Sequence, residues 1–64
     1  MLVNIRALLD RLDSDTQIEV VCGVDLVYRG PATDDAYNAV TEYGIDDVQY
    51  VSVDVDGTLY IEIY

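Results

Sequence analysis

The side chains able to do chemistry in this 64-residue chain are nearly all acids and phenols: thirteen Asp and Glu, six Tyr and one Cys, with neither His nor Lys. General acid/base catalysis needs a group whose pKa has been moved toward the working pH, and covalent catalysis needs a nucleophile beside a base. No pair here meets either need on spacing alone. The doublets Asp34-Asp35 and Asp46-Asp47 read as helix-start charge and as turn residues. Cys22 is flanked by apolar strand residues and has no cation in sequence nearby to lower its pKa, so it reads as a buried, reduced, structural thiol. Without His, and with one Cys, neither a zinc site nor a disulfide is expected, and no cofactor is implied.

The most specific string is Asp54-Val55-Asp56-Gly57-Thr58-Leu59, which follows an apolar strand and resembles the opening motif of haloacid dehalogenase-like phosphatases. In that family the first Asp is the nucleophile, the second the acid/base, and magnesium bridges to the phosphate. The resemblance covers six residues and stops: only five residues follow Leu59, and the family's later Lys has no counterpart in a chain without lysine. Asp-Gly at the end of a strand is what a tight reversal asks for, so the string is expected to be a hairpin turn. The same stretch is similar to part of a calcium loop, but counting Ser52 as the first ligand puts Ile63, not a carboxylate, at the twelfth position. No metal site and no enzyme are expected.

Six Tyr with no Phe or Trp favour a half-wet aromatic surface, the kind used at interfaces. Strand alternation places Tyr50, Tyr60 and Tyr64 on one outer face beside Asp54 and Glu62.

These residues need elements to hold them. Ile5, Leu8, Leu9 and Leu12 follow the i, i+3, i+4, i+7 stripe of a helix, with Asn4 as N-cap and Val3 and Leu8 as a hydrophobic staple. Gln17 to Arg29 has period two and reads as a hairpin. Pairing Cys22 with Leu26 across Gly23-Val24-Asp25 puts Ile18, Val20, Cys22, Leu26 and Tyr28 on one face and sets Glu19 opposite Arg29. Thr33 caps a second helix that begins at Asp34-Asp35, has Ala36, Tyr37, Val40 and Tyr43 as its apolar side, with Tyr37 and Tyr43 packing partly in the core, and ends at Gly44 with Ile45 touching Val40. Asp47 to Tyr64 reads as a second hairpin turning at Val55-Asp56-Gly57. Val51 then faces Ile61, Val53 faces Leu59 and Gln49 faces Ile63 on the inner side, with Val48 on the outer. The expected fold is a single α+β domain over 1–64 in αββαββ order, a four-stranded antiparallel sheet with two helices on one face.

The formal charge of −10 rules against binding free nucleic acid or an anionic membrane, and favours a basic protein surface. No segment reads as a signal peptide or a membrane span, so a cytoplasmic protein is expected. So small a domain buries only about 60% of its unfolded surface, which makes self-association, for example as a homodimer, a further expectation.

Taken whole, the chain resembles the short acidic proteins encoded by prophages and mobile elements of Gram-positive bacteria. The likeness lies in the opening helix Ile5-Arg6-Ala7-Leu8-Leu9-Asp10, the strand Ile18-Glu19-Val20 and the closing Leu59-Tyr60-Ile61-Glu62-Ile63. That group includes anti-CRISPR and other counter-defence inhibitors. The resemblance implies a non-enzymatic inhibitor or nucleic-acid mimic that offers an acidic, tyrosine-bearing surface to a basic partner such as a nuclease. Strand alternation and the acidic doublets, not the resemblance, put Tyr50, Asp54, Tyr60, Glu62, Tyr64, Asp34, Asp35, Asp46 and Asp47 on that surface. The competing expectation is a homo-oligomeric structural or regulatory module that joins through edge strands or the tyrosine face.

Overall fold

The computed structural model describes residues 3–44 and 47–64. Its elements are β1 (Val3–Asn4), α1 (Ile5–Leu9), β2 (Gln17–Cys22), β3 (Asp25–Pro31), α2 (Asp34–Tyr43), β4 (Asp47–Val53) and β5 (Leu59–Ile63). The strands form one sheet in the order β1-β4-β5-β2-β3. The αββαββ order is therefore as expected, but the sheet is mixed: β2 and β5, at its centre, run parallel, and every other pair is antiparallel. The reason is the single crossover. A helix that returns the chain across a sheet makes the next strand parallel to the last, so β4 runs with β3. Each hairpin then reverses once, leaving β2 and β5 pointing the same way wherever they meet. β1 is an addition, a two-residue strand paired with the start of β4, with Val3 opposite Val48 and Asn4 opposite Asp47.

Each hairpin keeps the expected register on one side of a bulge and loses it on the other, so the expected Cys22–Leu26 and Gln49–Ile63 pairs do not form. In the first, Ile18 faces Gly30, Glu19 faces Arg29 and Val20 faces Tyr28. Val27 is then an extra, bulged residue, so that Val21 faces Leu26 and Cys22 faces Asp25. The slip moves Leu26 to the outer face, where it is 57% exposed, and shortens the loop to Gly23-Val24. In the second, Val53 faces Leu59 and Val51 faces Ile61, but Gln49 bulges. Val48 takes the buried place opposite Ile63 that alternation gives to Gln49. The loop itself forms as the motif demands: Asp54 N–H donates to the Thr58 carbonyl, and Gly57 holds φ 91°.

One cluster makes the core. Ile18 and Val20 of β2 meet Ile61 and Ile63 of β5, with Ile5 and Leu9 of α1 and Ala36 and Val40 of α2 laid over them on one face. Asn4 caps α1, its Oδ1 accepting from Arg6 N–H at 2.8 Å. The helix is shorter than its apolar stripe, though Arg11 and Leu12 still donate back to Leu8 and Leu9. Thr33 is the N-cap of α2, but its side chain makes no capping bond; the Thr33 carbonyl instead accepts from Ala36 and Tyr37. At the far end Gly44, at φ 86°, donates to Val40, the left-handed stop. The contact of Ile45 with Val40 lies outside the described residues, as does the side-chain half of the Val3–Leu8 staple. On the apolar side of α2, Ala36 and Val40 are fully buried, and Tyr37 and Tyr43 are over a third exposed. Among the described residues no helix is long and apolar enough to cross a membrane.

Candidate functional site

The topology gathers the connections onto two ends. β2 and β5 start, and β3 and β4 finish, at the same end. This end therefore carries the loop into β2 with Asp13 and Asp15, the start of α2 with Asp34 and Asp35, and the β4–β5 turn with Asp54 and Asp56, all exposed. The Ala32 N–H to Thr16 carbonyl bond, at 2.9 Å, fastens the loop to the end of β3. Two shallow depressions flank the end. One, on the helix side, is about 260 Å³ and is lined by Asp10, Ser14, Thr33, Asp34 and Tyr37. The other, about 280 Å³ on the open side of the sheet, is lined by Glu19, Asp54, Asp56, Gln17 and Thr58 with Arg29.

Three of these carboxylates, Asp34, Asp35 and Asp56, have a structural reason to stand where they do. Asp34 and Asp35 occupy the first turn of α2, at the positive end of its dipole. Asp56 Oδ1 accepts from Thr58 N–H at 3.0 Å, closing the turn, and that bond holds its pKa below the usual carboxylate value. Positive charge is scarce. Arg29 reaches Glu19 at 2.8 Å, and of the two other arginines Arg11 follows Asp10 directly. Among the described residues no three His, Cys, Asp or Glu side chains converge to hold a metal ion.

The second surface is the face of the sheet that the helices leave open. Its rungs read Tyr50–Glu62–Val21–Leu26 and Ser52–Tyr60–Glu19–Arg29. Tyr50 and Tyr60, on diagonal positions, meet edge to face with centroids 6.4 Å apart, and Tyr60 OH donates to Glu62 Oε2 at 3.4 Å. Partial burial, then the Glu62 charge, push the Tyr60 phenol up from its ordinary value. Tyr64 stands just beyond, 73% exposed, its N–H donated to the Asp47 carbonyl.

The nine residues singled out in the sequence thus divide. Tyr50, Tyr60, Glu62 and Tyr64 come together on the open face; Asp34, Asp35 and Asp54 stand at the acidic end; Asp47 lies at the opposite end beside Asn4. Asp46 lies outside the described residues. Sequence reasoning missed Asp13, Asp15 and Asp56 as neighbours of this acidic end. Asp13 and Asp15 signal only a helix stop in the sequence, and it is the parallel β2–β5 pairing that sets their loop beside the second hairpin's turn.

At the far end, Tyr43 OH donates to Asp25 Oδ2 at 3.0 Å and so ties the last turn of α2 to the tip of the first hairpin. Hydrogen bonding to the Cys22 thiol and to Asp25 pushes the Tyr43 pKa up to about 12. Compared with protein-family models, curated proteins and solved structures, the chain matches none.

Proposed function

We propose that this chain is a non-enzymatic binding protein that offers its acidic end to a basic partner protein, as an inhibitor or nucleic-acid mimic of the counter-defence kind. The observation that supports it is the gathering of Asp13, Asp15, Asp34, Asp35, Asp54 and Asp56 at one end of a chain of charge −10. Carboxylates fixed by a turn, a helix start and a strand connection stand where phosphates would sit in a basic groove, and their field would steer such a partner in. The Asp54-to-Leu59 string contributes as a rigid hairpin turn rather than as a catalytic loop: both its backbone bonds and the Asp56–Thr58 bond serve the reversal.

Affinity capture from the producing cell tests this. At low salt the chain should retain a nucleic-acid-binding protein that high salt elutes and that added nucleic acid displaces. Retention unchanged by either would overturn the proposal.

A further inference from the structure

We propose that a second copy of this chain adds to the sheet along β4, antiparallel and about a two-fold axis through Ser52, giving an isologous dimer with one continuous sheet. This rests on the strand geometry and is independent of the acidic-end proposal. Asp54 N–H is bonded to the Thr58 carbonyl across the hairpin, so Ser52, opposite Tyr60, also directs its backbone groups toward β5. By alternation Val51 and Val53 direct theirs away from β5, to the outer edge. Among the described residues β1 covers that edge only at Asp47 and Val48.

Val51 paired with the partner's Val53, and Val53 with the partner's Val51, places outward-pointing residues opposite one another. Each such pair exchanges both backbone hydrogen bonds. The side chains agree with the backbone. Val51 and Val53 share the helix side of the sheet with Ile61 and Leu59, yet they are 42% and 68% exposed because α1 and α2 do not extend over the end of β4. The pairing sets the two valines of each copy against those of the other.

Charge selects the same edge. Two chains of −10 repel, and between Val48 and Val53 no residue is charged. The opposite edge, β3, carries the usual protections against strand pairing: Asp25, Arg29, the bulge at Val27 and a terminal Pro31. Residues 50–53 of β4 carry none of these; Asp47 and the bulge at Gln49 lie toward the part of the strand that β1 covers. A flexible peptide from another protein could use the same edge hydrogen bonds, but only a second copy brings the two-fold register.

Sedimentation equilibrium on the full chain carrying Cys22→Ser is the test, with two further variants in that background. A dimer is expected whose association tightens as salt rises, because screening relieves the repulsion. Val53→Pro removes an outward N–H and no bond to β5, so it should keep the wild-type circular dichroism and weaken association at least about tenfold. Ser52→Cys puts a thiol at the two-fold axis, in a close non-hydrogen-bonded pair, and should oxidise to a disulfide-linked dimer. A chain monomeric at every concentration and salt would overturn the proposal. So would a dimer that Val53→Pro leaves as tight, or one that Ser52→Cys fails to cross-link.

Discussion

Ile61 and Val51 face each other across β4 and β5 on the same side of the sheet, yet Ile61 is fully buried and Val51 is 42% exposed. Truncating each to Ala should therefore have very different costs. Ile61 stands between Val51 and Val20, on the parallel junction and beneath the helices. Removing three carbons there loses about 2.4 kcal/mol at ~0.8 kcal/mol per buried methylene, and the cavity left behind brings the cost to about 3–4 kcal/mol. Val51→Ala removes two carbons that are little more than half buried, which comes to about 1 kcal/mol by the same coefficient. A domain of this size holds roughly 3–10 kcal/mol in all. Ile61→Ala is thus a large fraction of the total, and Ile61→Val, at about 1 kcal/mol, is the variant to use if it does not fold. Urea unfolding followed by circular dichroism, at protein concentrations low enough to keep the chain monomeric, gives the comparison. Equal costs for Ile61→Ala and Val51→Ala would refute the placement of the helices over β5 and β2 rather than over β4.

Three further tests address local features. Gly44→Ala forces a Cβ into φ 86° with open space around it, so backbone strain alone should cost about 1 kcal/mol in a thermal melt; an unchanged melt would deny the left-handed stop. Tyr43 has its folded-state pKa raised to about 12. The stability it lends is complete below pH 10, the ordinary tyrosine value, and is lost as pH climbs from 10 toward 12, so Tyr43→Phe should make the fall over that window shallower, leaving the part that the raised Tyr60 phenol contributes. Asp56 has its pKa lowered, so the stability it lends the turn is present above the usual carboxylate pKa and goes as pH falls through its depressed value. Asp56→Asn, which keeps the acceptor oxygen, should retain a protected Thr58 amide in hydrogen exchange, and Asp56→Ala should not.

The parts of the fold legible in the sequence are those fixed by local chemistry. Asn4 at the start of α1, Gly44 at the end of α2, the Val55-Asp56-Gly57 loop and the Glu19–Arg29 pairing each depend on a few neighbouring residues. The parts that were not legible depend on one residue's displacement or on distant packing. A strand's faces follow from period two only while no residue is inserted, and the bulges at Val27 and Gln49 each shift the pattern by one. That is why Leu26 turns outward and Val48 inward. Alternation fixes how β2 and β5 would pair internally but says nothing of which strands become neighbours, so the parallel junction stayed hidden, as did the two-residue β1. Of the candidate site, the tyrosine face was legible because Tyr50, Tyr60 and Glu62 lie on the unshifted part of the hairpin. The acidic end was legible only as scattered aspartates, since their proximity is a product of the crossover.

Salt-dependent binding of charge and face variants to the captured partner tests the central claim most directly. Asp34→Asn, Asp35→Asn, Asp54→Asn and Asp56→Asn combined should weaken binding at low salt by at least about tenfold and reduce the dependence of affinity on salt. Tyr50→Ala with Tyr60→Ala should leave that salt dependence in place. Binding that survives the four neutralised aspartates with its salt dependence intact, but fails when the two tyrosines are removed, would contradict the account.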